Sequence, residues 1–137
     1  MRHLLWFDVA FYLVAGVYLA AHPQHSLRYA GGMGVAALAM VLWILARIQL
    51  GRAFSVSARA TTLVTSGLYS KIRNPIYFFG HIAILGLLVA WGYRIWLWLT
   101  LALLGIPFQM ARARKEGAVL EAAFGDEYRR YKAKTWF

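Results

Sequence analysis

The chain has 137 residues, of which 61% are hydrophobic and only 15% are charged. An ordinary soluble domain carries roughly a quarter charged residues, so this composition argues for a membrane protein before any pattern is read. A formal charge of +10 raises nucleic acid until the charges are placed, and the absence of cysteine excludes disulfides, thiolate metal sites and a cysteine nucleophile.

Crossing a bilayer takes about 20 residues of helix, and four segments read as spans. The first runs from about Leu4 to Ala21, with Asp8 near its start. It is too long for a signal-peptide core and no small-residue cleavage site follows, so it is expected to be retained. The second runs from about Tyr29 to Leu50 and is uncharged until Arg47. Its Gly31-Gly32-Met33-Gly34 run has no strand before it and no Lys-Ser/Thr after it. Close approach of helices explains those glycines better than phosphate binding.

Residues 51–74 are rich in Ser, Thr and Gly without a sustained apolar stripe. They read as a loop with a short extended piece around Thr61 to Thr65. The third span, Pro75 to Trp91, starts just after Arg73-Asn74. Proline is well tolerated in a first helical turn, where its missing N–H has no intrahelical partner to lose. Only Gly92-Tyr93 separates it from the fourth span, Arg94 to Met110, which makes the pair a tight helical hairpin. Trp91, Tyr93, Trp96 and Trp98 are expected at the far interface, where aromatic rings settle. Beyond Met110 the pattern becomes a charged amphipathic helix over 111–134.

The expected fold is therefore all-α. It is one membrane domain over 1–137, a bundle of four transmembrane helices plus a cytoplasmic amphipathic C-terminal helix. With four spans, the N-terminus, the 51–74 loop and the C-terminal segment share one side. Of the Lys and Arg residues, 13 fall on that side and 2, Arg28 and Arg94, on the other. The asymmetry predicts a multi-pass protein with both termini cytoplasmic. Basic residues beside apolar spans point to lipid head groups and away from nucleic acid.

Two polar islands interrupt the apolar runs, Gly67 to Tyr77 and Arg112 to Tyr131. Spanning alone does not need them, so they mark a polar site at the membrane surface. Tyr77 lies one turn into the third span, near Arg73, and its hydroxyl needs a partner. Arg112 and Glu116 are four residues apart and share a helix face, as do Tyr128 and Tyr131, three apart. The plainer readings are a surface ion pair and an amphipathic helix lying on lipid. Yet a carboxylate one turn beyond a span is costly unless paired. His81 lies inside the third span, where an ionisable group is either functional or bonded to a neighbouring helix. Asp8 reads as a helix-packing or interfacial acid. His3, His22 and His25 have no metal-ligand spacing, and no Ser-His-Asp or zinc signature is present.

Together the islands resemble the isoprenylcysteine carboxyl methyltransferase and phospholipid methyltransferase superfamily of integral membrane enzymes. Arg47-Ile-Gln-Leu-Gly51-Arg-Ala-Phe54-Ser55 is similar to its R-x-x-L-G-x-x-F-S stretch. Gly67-Leu-Tyr69-Ser-Lys-Ile-Arg73-Asn74-Pro75-Ile-Tyr77 is similar to its G-x-Y-x-x-x-R-[HN]-P-x-Y motif. Glu116 to Leu120, followed by Phe124-Gly125 and then Tyr128 and Tyr131, is similar to its E-E-x-x-L…F-G-x-x-Y-x-x-Y tail. Order and spacing agree over roughly residues 43 to 132. The pattern departs at Gly117, where the second glutamate stands, at Asn74 for a common histidine, and at Phe79 for a common glycine.

The resemblance implies S-adenosyl-L-methionine as methyl donor and a lipophilic methyl acceptor: an isoprenylcysteine-like carboxylate, a lipid amine or a small thiol. It implies a site built from Gly67, Tyr69, Arg73, Asn74, Pro75, Tyr77, Arg112, Glu116, Tyr128 and Tyr131. Arg73, Tyr77 and Glu116 are the expected catalytic group. In that reading Arg73 or Arg112 meets the donor's carboxylate, Glu116 its ammonium, and an aromatic ring such as Tyr77 its sulfonium. Asn74 and the backbone near Gly67 would read the adenosine. A homodimer is one way for so small a chain to shield its site. Two other classes compete. Gly117 keeps open a non-catalytic scaffold or binding protein with the same fold, and a small transporter would need more intramembrane polar groups than Asp8 and His81.

Overall fold

The computed structural model describes residues 13–51, 63–92 and 95–136. The described part of the first helix, α1, covers residues 13–21. It is followed by α2 (Leu27–Leu50), a short 3-10 turn (Gly67–Ser70), α3 (Pro75–Trp91), α4 (Ile95–Phe124) and α5 (Asp126–Lys134). Among the described residues the only β-pairing is an isolated bridge between Ile72 and Trp136, so the chain is all-α as expected.

Helix α2 starts because the Ser26 hydroxyl accepts the Tyr29 N–H at 3.1 Å, satisfying a donor that has no partner within the helix. Helix α3 starts at Asn74 with Pro75 in its first turn and stops at Gly92. Gly92 has φ 68°, and its N–H donates to the Leu88 carbonyl at 3.2 Å.

The buried residues of α2 are Gly32, Ala36, Ala39, Trp43 and Ala46, at steps of four and three that draw one stripe along the helix. That stripe meets Ala83, Gly86, Leu87 and Ala90 of α3, and α1 adds Ala15 and Leu19 to the same core. A Cβ at Gly32 would stand 2.5 Å from the Ala90 nitrogen, and one at Gly86 would stand 2.6 Å from the Ala36 nitrogen. The two backbones therefore touch, as small-residue interfaces allow. Gly31 and Gly34 have nothing within 4 Å, so close approach accounts for Gly32 alone. Away from the seam, α2 exposes Val35, Leu38, Val41, Ile44, Leu45 and Ile48. Among the described residues α2 is long and apolar enough to cross a membrane, while α3 is apolar over a shorter 17 residues.

One expected boundary moves. The fourth span and the C-terminal helix do not part near residue 110; α4 runs unbroken to Phe124. Ala111-Arg-Ala-Arg-Lys-Glu116 contains only strong helix formers, so nothing there ends the helix. The break comes at Gly125, whose φ of 50° is left-handed, and α5 follows. Inside α4, Pro107 lacks the N–H that would reach the Leu103 carbonyl. Residues 63–65 of the expected extended piece carry no regular structure. Asp8, His3, Thr61, Thr62, Tyr93, Arg94 and the side chains of Trp96 and Trp98 lie outside the described residues.

Candidate functional site

The two polar islands meet. The Trp136 N–H donates to the Lys71 carbonyl at 2.7 Å, and the Arg73 N–H donates to the Trp136 carbonyl at 3.1 Å. One turn of α5 earlier, the Tyr131 hydroxyl donates to the Tyr69 carbonyl at 2.8 Å. These bonds fasten the segment ahead of α3 to the segment after α4 and fix where Arg73 and Asn74 stand. Burial raises the Tyr69 phenol above its ordinary range, with the neighbouring Tyr131 adding to it. Burial likewise pushes Tyr131 up to about 12, with Tyr128 adding to the shift. Both hydroxyls stay protonated at neutral pH, so Tyr131 serves as a hydrogen-bond donor there. Gly67 belongs to the frame as well. At φ 60° its Cβ would stand 2.5 Å from the Gln49 side chain, whose Oε1 accepts the Leu68 N–H at 2.8 Å.

Tyr77 joins α3 to α4. Its hydroxyl donates to Glu116 Oε1 at 2.6 Å, a short bond to an acid. The Arg112 guanidinium lies 5.5 Å from the centre of the Tyr77 ring, within cation–π range. The partnership expected of Arg112 and Glu116 is thus routed through a tyrosine, with the acid on its hydroxyl and the base over its face.

Beside this group, α3, α4 and α5 line a partly open cavity of about 780 Å³. At one end it is lined by Arg73, Asn74, Tyr77, Glu121, Tyr128 and Lys132. Towards the other it is lined by Phe78, Leu85, Leu103, Ile106 and Met110, interrupted by His81 and Gln109. Size and character match a small-molecule site, which is mostly apolar with a few converging polar groups.

Of the ten residues expected in the site, Arg73, Asn74, Tyr77 and Tyr128 line this cavity. Glu116 and Arg112 stand behind Tyr77, off the lining. Gly67, Tyr69, Pro75 and Tyr131 build the frame; Pro75 is fully buried and Tyr69 and Tyr131 are buried. Sequence reasoning missed Arg114, Glu121, Lys132 and Gln109, all in the lining. The signal was present: Ile106, Met110, Ala113, Gly117 and Glu121 are one stripe at steps of four and three, provided α4 is read as continuous. At Gly117, the departure from the acidic pair, the room left by the missing side chain is taken up by Tyr128. A Cβ there would stand 2.9 Å from the Tyr128 hydroxyl, which occupies that space.

Comparison with known proteins agrees. A family profile described as phospholipid methyltransferase matches residues 27–127. A Haemophilus influenzae protein described as uncharacterized is 44% identical over 63 residues, covering 40% of this chain and 92% of that protein. No solved structure matches the chain.

Proposed function

Because the chain belongs to the phospholipid methyltransferase family, we propose that it transfers a methyl group from S-adenosyl-L-methionine to a lipophilic acceptor at the cytoplasmic face of a membrane. The observation that carries this reading is the cavity, charged and aromatic at one end and apolar along its body. That gradient suits a charged donor at the mouth and a lipid-like acceptor in the body.

The donor set fits the methyl donor. Arg73, Arg114 and Lys132 offer cations to its carboxylate, and Glu121 offers an anion to its ammonium. Tyr77 and Tyr128 present aromatic rings to its positive sulfur. Bound there, the donor supplies an activated methyl group on a sulfonium. Glu121 takes the part expected of Glu116, because Glu121 lines the cavity while Glu116 holds the Tyr77 hydroxyl. Glu116 and Arg112 act as positioning residues: they fix the ring of Tyr77 and so the direction it faces. Methyl transfer needs chiefly such alignment, and a water-poor site favours charge neutralisation.

In this reading the chain is one multi-pass domain of four spans with both termini cytoplasmic. Span one includes α1, α2 is span two, α3 and the first part of α4 form the hairpin, and the rest of α4 with α5 lies at the surface. A second reading, a binding protein that retains the fold without turnover, is favoured by Gly117 in place of an acid.

Calorimetric titration of the purified full chain with S-adenosylhomocysteine tests both. Saturable binding that Glu121→Gln and Tyr77→Phe each weaken is expected. Binding without methylation of any lipid extract would favour the second reading. No binding by folded protein would end the first.

A further inference from the structure

Halfway along the cavity the lining changes from apolar to a small group of hydrogen-bond acceptors that the methyl-donor site does not use. His81 stands one turn beyond Tyr77 on α3, with its Nδ1 3.1 Å from the Tyr77 carbonyl. A carbonyl only accepts, so Nδ1 carries the hydrogen, and in the neutral ring Nε2 is left as an acceptor. That nitrogen points across to α4, 3.6 Å from where a Cβ would stand at Gly105. Gly105 and Gln109 are four residues apart on α4 and share a face, and Gln109 lines the cavity.

Gln109 lines the cavity, while its Oε1 is closed off from solvent and has no hydrogen-bond partner, so a head group meets it through a turn of the Gln109 amide. A buried acceptor left unpaired is costly, so a chain that keeps one there keeps it for a partner. Pro107, between Gly105 and Gln109, also withdraws the helical donor from the Leu103 carbonyl, and Leu103 lines the same cavity. Around these acceptors stand Phe78, Leu85, Ile106 and Met110, which contribute no side-chain donor.

We infer that His81 Nε2 and Gln109 Oε1 form a hydrogen-bond-accepting collar that selects methyl acceptors by their head group. It takes a head that donates N–H or O–H bonds and rejects one that is a carboxylate. The inference rests on the methyl-transfer reading for the identity of the ligand, while the collar's preference follows from its own chemistry. A carboxylate brings only acceptors to a place that already has a surplus of them. An ammonium, with three N–H bonds, satisfies the buried oxygen and the imidazole nitrogen together, and a hydroxyl, with one O–H, satisfies either of them. Two fillings compete for the same atoms: a ligand head, or Gln109 with its amide turned to donate to His81, which would leave no preference at all.

The test uses the full chain in phosphatidylcholine nanodiscs with three probes of equal chain length: dodecylammonium, dodecanol and dodecanoate. Wild-type protein is expected to bind both donor heads at least about tenfold more tightly than dodecanoate, since a hydrogen bond of about 1–1.5 kcal/mol corresponds to about that factor. His81→Leu and Gln109→Met should each remove most of that preference while S-adenosylhomocysteine affinity stays within about twofold of wild type. Gln109→Glu, which keeps the shape and strengthens the acceptor, should raise the preference for dodecylammonium and serves as the variant that folds if the others do not.

Equal binding of all three probes would overturn the inference, as would saturable binding of none. A preference confined to dodecylammonium and untouched by the substitutions would report charge alone and overturn it too. Failure to bind S-adenosylhomocysteine would instead sink the methyl-transfer reading, with the head-group preference measured separately.

Discussion

Helix α3 has two sides that do opposite things. Against α2 it presents Ala83, Gly86 and Ala90, and the backbones touch with no space for one more carbon. Against α4 it presents Tyr77, Phe78, His81 and Leu85, and leaves a cavity of about 780 Å³. The first side holds position through close contact of small residues. The second holds position through a few directed bonds, chiefly Tyr77 to Glu116. A rigid seam on one face lets the other face stay open without losing its geometry.

The comparison is broken most severely at the seam. Gly86→Val places carbon where the Ala36 nitrogen stands at 2.6 Å, and the clash is with backbone, which cannot turn aside. The expected loss is about 3 kcal/mol or more, seen as little folded protein or a much lower thermal midpoint. Gly34→Ala, on the same helix as the facing glycine but with nothing within 4 Å, should leave that midpoint unchanged or slightly raised. If both variants behave alike, the seam is not where it is drawn.

Next in size is Tyr77→Phe, which breaks the directed side and spares the seam. The protein should remain folded, with S-adenosylhomocysteine affinity down about tenfold to a hundredfold, as for loss of a hydrogen bond to a charged group. Calorimetry reads this, and an unchanged affinity would remove Tyr77 from the site.

A smaller effect sharpens the picture at the rim. Gly117→Ala pushes aside the Tyr128 hydroxyl at 2.9 Å and should lie about 1 kcal/mol below Gly34→Ala in stability. Tyr128→Phe in the same chain should restore most of that difference, a non-additivity that a double-mutant cycle of thermal midpoints would read.

The smallest effect separates the two sides by pH. Tyr131, pushed up to about 12 by burial, holds its proton more tightly folded than unfolded, where the ordinary value is 10.0. Its contribution is therefore full below pH 10 and is lost as pH rises through about 12. Denaturation midpoints should fall over that interval, and Tyr131→Phe should flatten the fall. The glycines and alanines that meet in the seam carry no titrating group.

Local chemistry made much of this legible. Pro75 and Gly92 announce helix ends through properties that need no tertiary context, and the structure ends its helix there. Gly32 was legible as a kind of residue and not as a contact, because nothing in Gly31-Gly32-Met33-Gly34 says which glycine faces a neighbour. The site divides the same way. Arg73, Asn74 and Tyr77 follow one another across a helix start, so their meeting is local. Glu121 in the lining, and the placement of Glu116 behind Tyr77, depend on how α4 rotates against α3. That rotation is set by packing, and a false helix break near residue 110 had hidden the stripe that reports it.

The Tyr128 hydroxyl beside Gly117 makes two helices share one space. The space that a side chain at position 117 would need is held by a residue eleven positions further on, in another helix. A larger residue at 117 therefore moves the tyrosine, and with it one wall of the cavity. Size at this one position sets the shape of the pocket mouth through a neighbour on a different helix.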